Sequence, residues 1–184
     1  MNGHHLILGK LTDFITGEIL NDTHDERYRQ KLARLLVEDK GYCKADIIPR
    51  CELLVTAGDG KRALIKVDFK ISLAGRTAMI IKYGPGSLVT RQRPALAAAR
   101  LLETYQIPLV VVTNGEGADI LAGVSGKVIS SGLETIPSKT ELAQMTATVS
   151  FDSISSQRAE MESRILYAFE VDGCCPCDDS VCRL

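Results

Sequence analysis

The chain has 184 residues, 45% of them apolar and 24% charged, with no Trp and a formal net charge of −1. That length supports one domain with a proper core plus a short appendage, and the composition is that of a globular chain rather than a disordered or fibrous one. No apolar run approaches the roughly 20 residues that span a bilayer. The start, Met1-Asn2-Gly3-His4-His5, lacks the basic and apolar regions of a secretory signal, so a cytoplasmic location is expected.

Residues 1–22 read as an N-terminal extension. A helix is predicted from Thr23 to Lys40, because Thr23-His24-Asp25-Glu26 has the capping-box pattern and Tyr28, Leu32, Leu35 and Leu36 follow at helical spacing before Gly41. Strands are predicted at Ile47–Val55, Ala63–Ile71 and Thr77–Tyr83, joined antiparallel through Gly58-Asp59-Gly60 and Ala74-Gly75-Arg76. Gly84-Pro85-Gly86 stops the third strand. A second helix is predicted at Arg93–Tyr105, with Pro94 in its first turn and Ala98, Leu101, Leu102 and Tyr105 facing inward. The wholly apolar Leu109–Thr113 predicts a central strand covered on both faces, followed by strands at Ala118–Leu121 and Lys127–Ser130. Helices are predicted at Ser138–Ala147 and Ser155–Phe169, the latter with Met161, Ile165, Leu166 and Phe169 as its buried stripe. This order describes an α/β fold with a mixed sheet, its core at 23–130, and C-terminal helices with a Cys-rich tail at 131–184.

Charge is unevenly spread. Between Lys61 and Arg100 nine basic residues face the single acid Asp68, a segment of about +8 in a chain of net −1. Such a stripe suits a polyanion such as DNA, or a solvated face paired with acids elsewhere. Within it, Asp68 sits on one apolar strand and Lys82 ends the next, and a strand acid followed by a strand lysine is a layout common in metal-dependent nucleases.

The set Asp25-Glu26-Arg27-Tyr28-Arg29-Gln30, Val67-Asp68-Phe69, Ile80-Ile81-Lys82 and Leu109 to Gly115 resembles, in order and spacing, the N-terminal nuclease domain of type I restriction enzyme R subunits, a branch of the PD-(D/E)xK superfamily. Similarity covers about Thr23 to Leu121. The resemblance implies a restriction-endonuclease-like sandwich in which Glu26 and Asp68 hold Mg²⁺ and Lys82 positions the attacking water. A hard divalent cation wants oxygen ligands, polarises the phosphodiester and lowers the pKa of bound water.

Two motifs depart from the family pattern. Ile80 stands where the acid of the acid-x-Lys tripeptide belongs, and Ala97 and Leu101 stand where a glutamine and a tyrosine belong on the following helix, with Gln92 lying further toward its N-terminus. Isoleucine offers no lone pair to a metal, so the resemblance implies a DNA-binding protein with weakened or lost Mg-dependent cleavage, possible as a deoxyribonuclease with one ligand fewer. Lys70, Arg91 and Arg93 are the candidate phosphate contacts, and helicase or restriction-modification chains are the implied partners. Each residue also has a structural reading: Glu26 as a helix cap, Asp68 as an ion-pair partner of Lys66 or Lys70, and Lys82 reaching solvent from a strand end.

The tail carries a second signal. Cys174 and Cys177 form a C-x-x-C spacing and Cys182 follows, a set suited to Zn²⁺ or an iron–sulfur cluster with Cys43 or Cys51 as a fourth ligand. A non-enzymatic binding module and a metal or redox sensor built on these thiols are the alternatives. No Gly-rich phosphate loop stands between a strand and a helix, so nucleotide binding has no support.

Overall fold

The structure is a computed structural model that describes residues 6–58 and 60–172 together with the backbone of 181–183. Two short strands, β1 (Gly9–Thr12) and β2 (Ile19–Asp22), pair antiparallel as a hairpin within the N-terminal extension. Helix α1 (His24–Arg34) starts at Thr23, whose Oγ1 accepts the Glu26 N–H at 3.1 Å, and continues as a wider π turn through Asp39. Only the Thr23 half of the expected capping box forms. The Glu26 carboxylate is held by side chains of its own helix instead.

The main sheet runs in the order β3 (Ile47–Thr56), β4 (Arg62–Leu73), β5 (Arg76–Tyr83), β6 (Leu109–Thr113), β7 (Ala118–Ala122), β8 (Val128–Ser131). Every neighbouring pair is antiparallel except β5 and β6. A parallel pair needs a crossover, and α2 (Leu88–Leu101) supplies it. The helix begins five residues before the expected start, so Pro94 lies inside it rather than in its first turn. The carbonyl deprived of a donor by Pro94 belongs to the exposed Thr90, which keeps the cost of that proline small. As predicted, β6 is buried along its whole length.

Helices flank both faces of the sheet. On one, Leu32 and Ala33 of α1, Leu36 of the π turn that follows it and Leu142 of α3 (Lys139–Thr146) pack with Phe69, Ile71, Met79, Ile81 and Val111. On the other, Ala95 to Ala99 of α2 and Leu166 and Tyr167 of α4 (Ser156–Tyr167) pack with Val67, Ile80, Val110 and Val112. A flat strand would place residues 63, 65, 67, 69 and 71 of β4 on one face. Here Ala63, Ile65 and Val67 join the α2 cluster whereas Phe69 and Ile71 join the α1 cluster. The β3–β4 hairpin therefore rolls over at Asp68, opposite Arg50, whose φ of 51° is the left-handed conformation that a non-glycine residue rarely takes.

The rotation of α4 differs from expectation. Met161 and Phe169 are each 52% exposed, and the inward face carries Glu162, Ser163, Leu166 and Tyr167. Glu162 is fully buried because three arginines converge on it: Arg100 and Arg158 at 2.7 Å and Arg93 at 2.6 Å. Burial alone would raise its pKa, but these guanidinium groups outweigh that and lower it. Apolar periodicity could not reveal a helix whose buried face is set by an acid. Glu162→Gln leaves the buried Arg100 without its counter-charge and is expected to lower stability by about 3 kcal/mol in urea denaturation at pH 7. A change below about 0.5 kcal/mol would show that the cluster does not set the docking of α4.

Candidate functional site

The roll-over of β4 opens a fork in the sheet. The ladder to β5 runs from Leu73↔Arg76 to Phe69↔Ile81, and β9 (Val181–Arg183) pairs the far end of β4 at Ala63, Leu64 and Ile65. Residues 66–68 lie between the two ladders, so their polar groups meet side chains. The Lys66 carbonyl accepts from Lys82 Nζ at 3.0 Å, and Asp68 Oδ2 accepts the backbone N–H of Tyr83 at 2.8 Å. A carboxylate thus occupies the place a ladder carbonyl would take.

Helix α1 closes one side of the fork. Arg29 Nε donates to Asp68 Oδ1 at 2.6 Å, and its NH1 lies 3.6 Å from Glu26 Oε2. Burial works against the Arg29 charge, but Asp68 and then Glu26 outweigh it and raise its pKa. The guanidinium also lies 5.2 Å from the centre of the Tyr83 ring, which stacks on Tyr28 at 5.8 Å and donates its hydroxyl to Asp25. Burial first, then Asp25, pushes the Tyr83 phenol up. Glu26 Oε1 accepts from Gln30 Nε2 at 2.8 Å, and the same amide reaches Asp13 Oδ2 at 3.1 Å. Asp13, in the turn after β1, also accepts from Arg50 NH1 at 2.7 Å, and this fastens the N-terminal hairpin across the roll-over.

The result is a cavity of about 380 Å³ bounded by Glu26, Arg29, Asp68, Lys82, Arg91 and Glu170, among others. The three side chains that the sequence singled out, Glu26, Asp68 and Lys82, line this one cavity. Lys82 Nζ meets a fourth polar group, Glu170 Oε2, at 3.2 Å. Glu170 follows α4 in a π turn (Ala168–Asp172), far along the chain from the motif. Arg91 folds over the rim, donating to the Pro85 carbonyl at 2.8 and 3.1 Å, and packs against Gly84, where a Cβ would come within 2.3 Å of its guanidinium.

Other sequence-predicted residues lie elsewhere. Lys70 pairs with Glu103 at 3.0 Å, Arg93 turns to Glu162, and Gln92 donates to Asp119 at 2.8 Å. Ile80 is fully buried in the apolar cluster under α2 and α4. Cys174 and Cys177 lie outside the described residues, as does the side chain of Cys182, while Cys43 and Cys51 are free thiols. Among the described residues no three His, Cys, Asp or Glu side chains are gathered so as to hold a metal ion, and no helix is long and apolar enough to cross a membrane. Arg29, Arg50, Tyr83 and Glu170 are the site-forming residues whose roles the sequence does not announce.

Residues 24–137, more than half of the chain, match the family described as type I restriction enzyme R protein N terminus. The chain belongs to that family. Neither the curated proteins nor the solved structures contain a match. The family match spans α1, the six strands from β3 to β8 and α2, and it supports a restriction-related, nuclease-like module. Glu170 and all of α4 lie beyond the matched segment.

Burial acts to raise the Asp13 pKa, but Arg50, the Thr16 N–H and Gln30 outweigh it and bring it from 3.8 down to about 2. A folded-state pKa below the unfolded one stabilises the protein above the unfolded value, and that contribution is lost as pH falls from about 4 to about 2. It amounts to about 2.5 kcal/mol at most. Urea denaturation across this range is expected to show a steeper loss for the wild-type protein than for Asp13→Asn, which is already weakened at pH 7. Parallel profiles for the two would remove Asp13 as the fastener.

Proposed function

We propose that this chain is a restriction-endonuclease-like module that binds DNA across the Glu26–Asp68–Lys82 cavity and has lost Mg-dependent phosphodiester cleavage. The observation that carries the reading is Ile80. The position where the family places an acid is occupied by a side chain with no exposed surface, within the apolar cluster that also holds Val110, Ala98 and Leu166. Glu26, Asp68 and Lys82 line one pocket, which supports a kept scaffold in which a required oxygen ligand is replaced by hydrocarbon.

Binding would use the rim. Lys66 and Arg91 border the cavity beside Lys82, and cations at the mouth of a pocket attract the phosphate backbone without reading sequence. Lys70 and Arg93 pair with Glu103 and Glu162 outside the cavity lining, whereas Lys66 and Arg91 line it, and this placement favours the latter two as the phosphate contacts. A restriction-modification complex is the fitting context, in which a partner chain supplies any helicase motor.

Fluorescence anisotropy with duplex DNA at several salt concentrations tests the binding half. Affinity is expected to fall steeply with salt, and the Lys66→Ala/Arg91→Ala double variant to reduce the log–log slope by about two. Binding indifferent to salt and to both changes would contradict it. Plasmid incubated with Mg²⁺ or Mn²⁺ tests the other half. No cleavage above that of Asp68→Asn is expected, and turnover that Asp68→Asn abolishes would refute the loss of activity. Ile80→Glu is expected not to restore cleavage and to destabilise the fold by about 3 kcal/mol, because it buries a carboxylate in an apolar cluster.

A further inference from the structure

The two acids expected to hold a divalent ion have their oxygens engaged. Asp68 Oδ1 takes the Arg29 Nε–H at 2.6 Å and Oδ2 takes the Tyr83 N–H at 2.8 Å. Glu26 Oε1 takes Gln30 Nε2 at 2.8 Å, and Oε2 faces Arg29 NH1 at 3.6 Å. One guanidinium therefore lies against both carboxylates, which are themselves nearly buried. A metal seated between them would have to displace Arg29 from Asp68 and from the Tyr83 ring, or share the space with a like charge. Arginine cannot avoid that repulsion by losing its proton. As they stand, these residues do not fit a divalent cation.

We infer that Arg29 is the resident cation of this pocket: its guanidinium stands between Glu26 and Asp68 in place of a metal ion, excludes Mg²⁺ and Mn²⁺, and conceals a divalent-cation site that its removal would open. The claim concerns the pocket and not what docks over it, so it stands or falls separately from DNA binding. An uncharged side chain at position 29 leaves the two carboxylates without the guanidinium that lies against both, the condition under which a hard divalent ion is attracted. Glu170, on the far side of Lys82, is free to remain with that lysine in either state.

The test is Mn²⁺ binding to the full chain without DNA, followed by electron paramagnetic resonance of free Mn²⁺ and by the metal-induced shift in thermal midpoint. The wild-type protein is expected to show no Mn²⁺ site tighter than about 1 mM. Arg29→Ala and Arg29→Gln are expected to gain one site at least about tenfold tighter, lost again when Asp68→Asn is added. Arg29→Gln serves where Arg29→Ala fails to fold, because its amide can still donate to Asp68. Wild-type Mn²⁺ binding in the micromolar range that Asp68→Asn removes would overturn the inference. So would folded Arg29 variants that bind Mn²⁺ no better than the wild type.

Discussion

The Asp68 carboxylate is the interaction on which the site depends. It lies where β4 passes from its β5 ladder toward its β9 ladder, and it bonds sideways to the N–H of Tyr83 rather than leaving that donor bare. Its other oxygen reaches across to Arg29 and so fastens α1 to the splayed strands. Hydrogen bonds to an ionised group are each worth about 1.5–3 kcal/mol, and a buried carboxylate without them costs more than that. The fork, the helix beside it and the cavity between them are therefore one construction.

Around that carboxylate the chain arranges charge in alternation. Glu26 and Asp68 face Arg29, Lys82 faces Glu170, and Asp13 faces Arg50. Two of these pairs reach outside the segment shared with the family, one to the N-terminal hairpin and one to the turn after α4. The pocket that the family segment begins is thus completed by both flanks. A cavity whose charges are already matched in pairs differs chemically from one built to attract a metal, because each carboxylate has its cation in place before any ligand arrives.

Much of this fold was legible in the sequence. Alternating apolar runs and glycine turns place β3, β4 and β5 within two residues, and the unbroken Leu109–Thr113 marks the buried β6. The failures have identifiable physical causes. Pro94 suggested a helix start, but its orphaned carbonyl partner is on the surface, so α2 tolerates it internally. The buried face of α4 follows an acid drawn in by three arginines, and hydrophobic periodicity carries no trace of that. The strands β1 and β2 are largely exposed on both sides and so lack the alternation that would betray them. Of the site, Glu26, Asp68 and Lys82 could be named because the family motif spaces them. Arg29 and Glu170 could not, since an arginine on a helix and a glutamate after one read as solvated until long-range contacts place them.

A crystal of the wild-type protein soaked in MnCl₂, with anomalous scattering collected at the manganese edge, is the most direct test of the central claim. The account predicts the Arg29 guanidinium hydrogen-bonded to Asp68 and no anomalous peak between Asp68 and Glu26. A manganese peak coordinated by those two carboxylates, with Arg29 turned away, would contradict it.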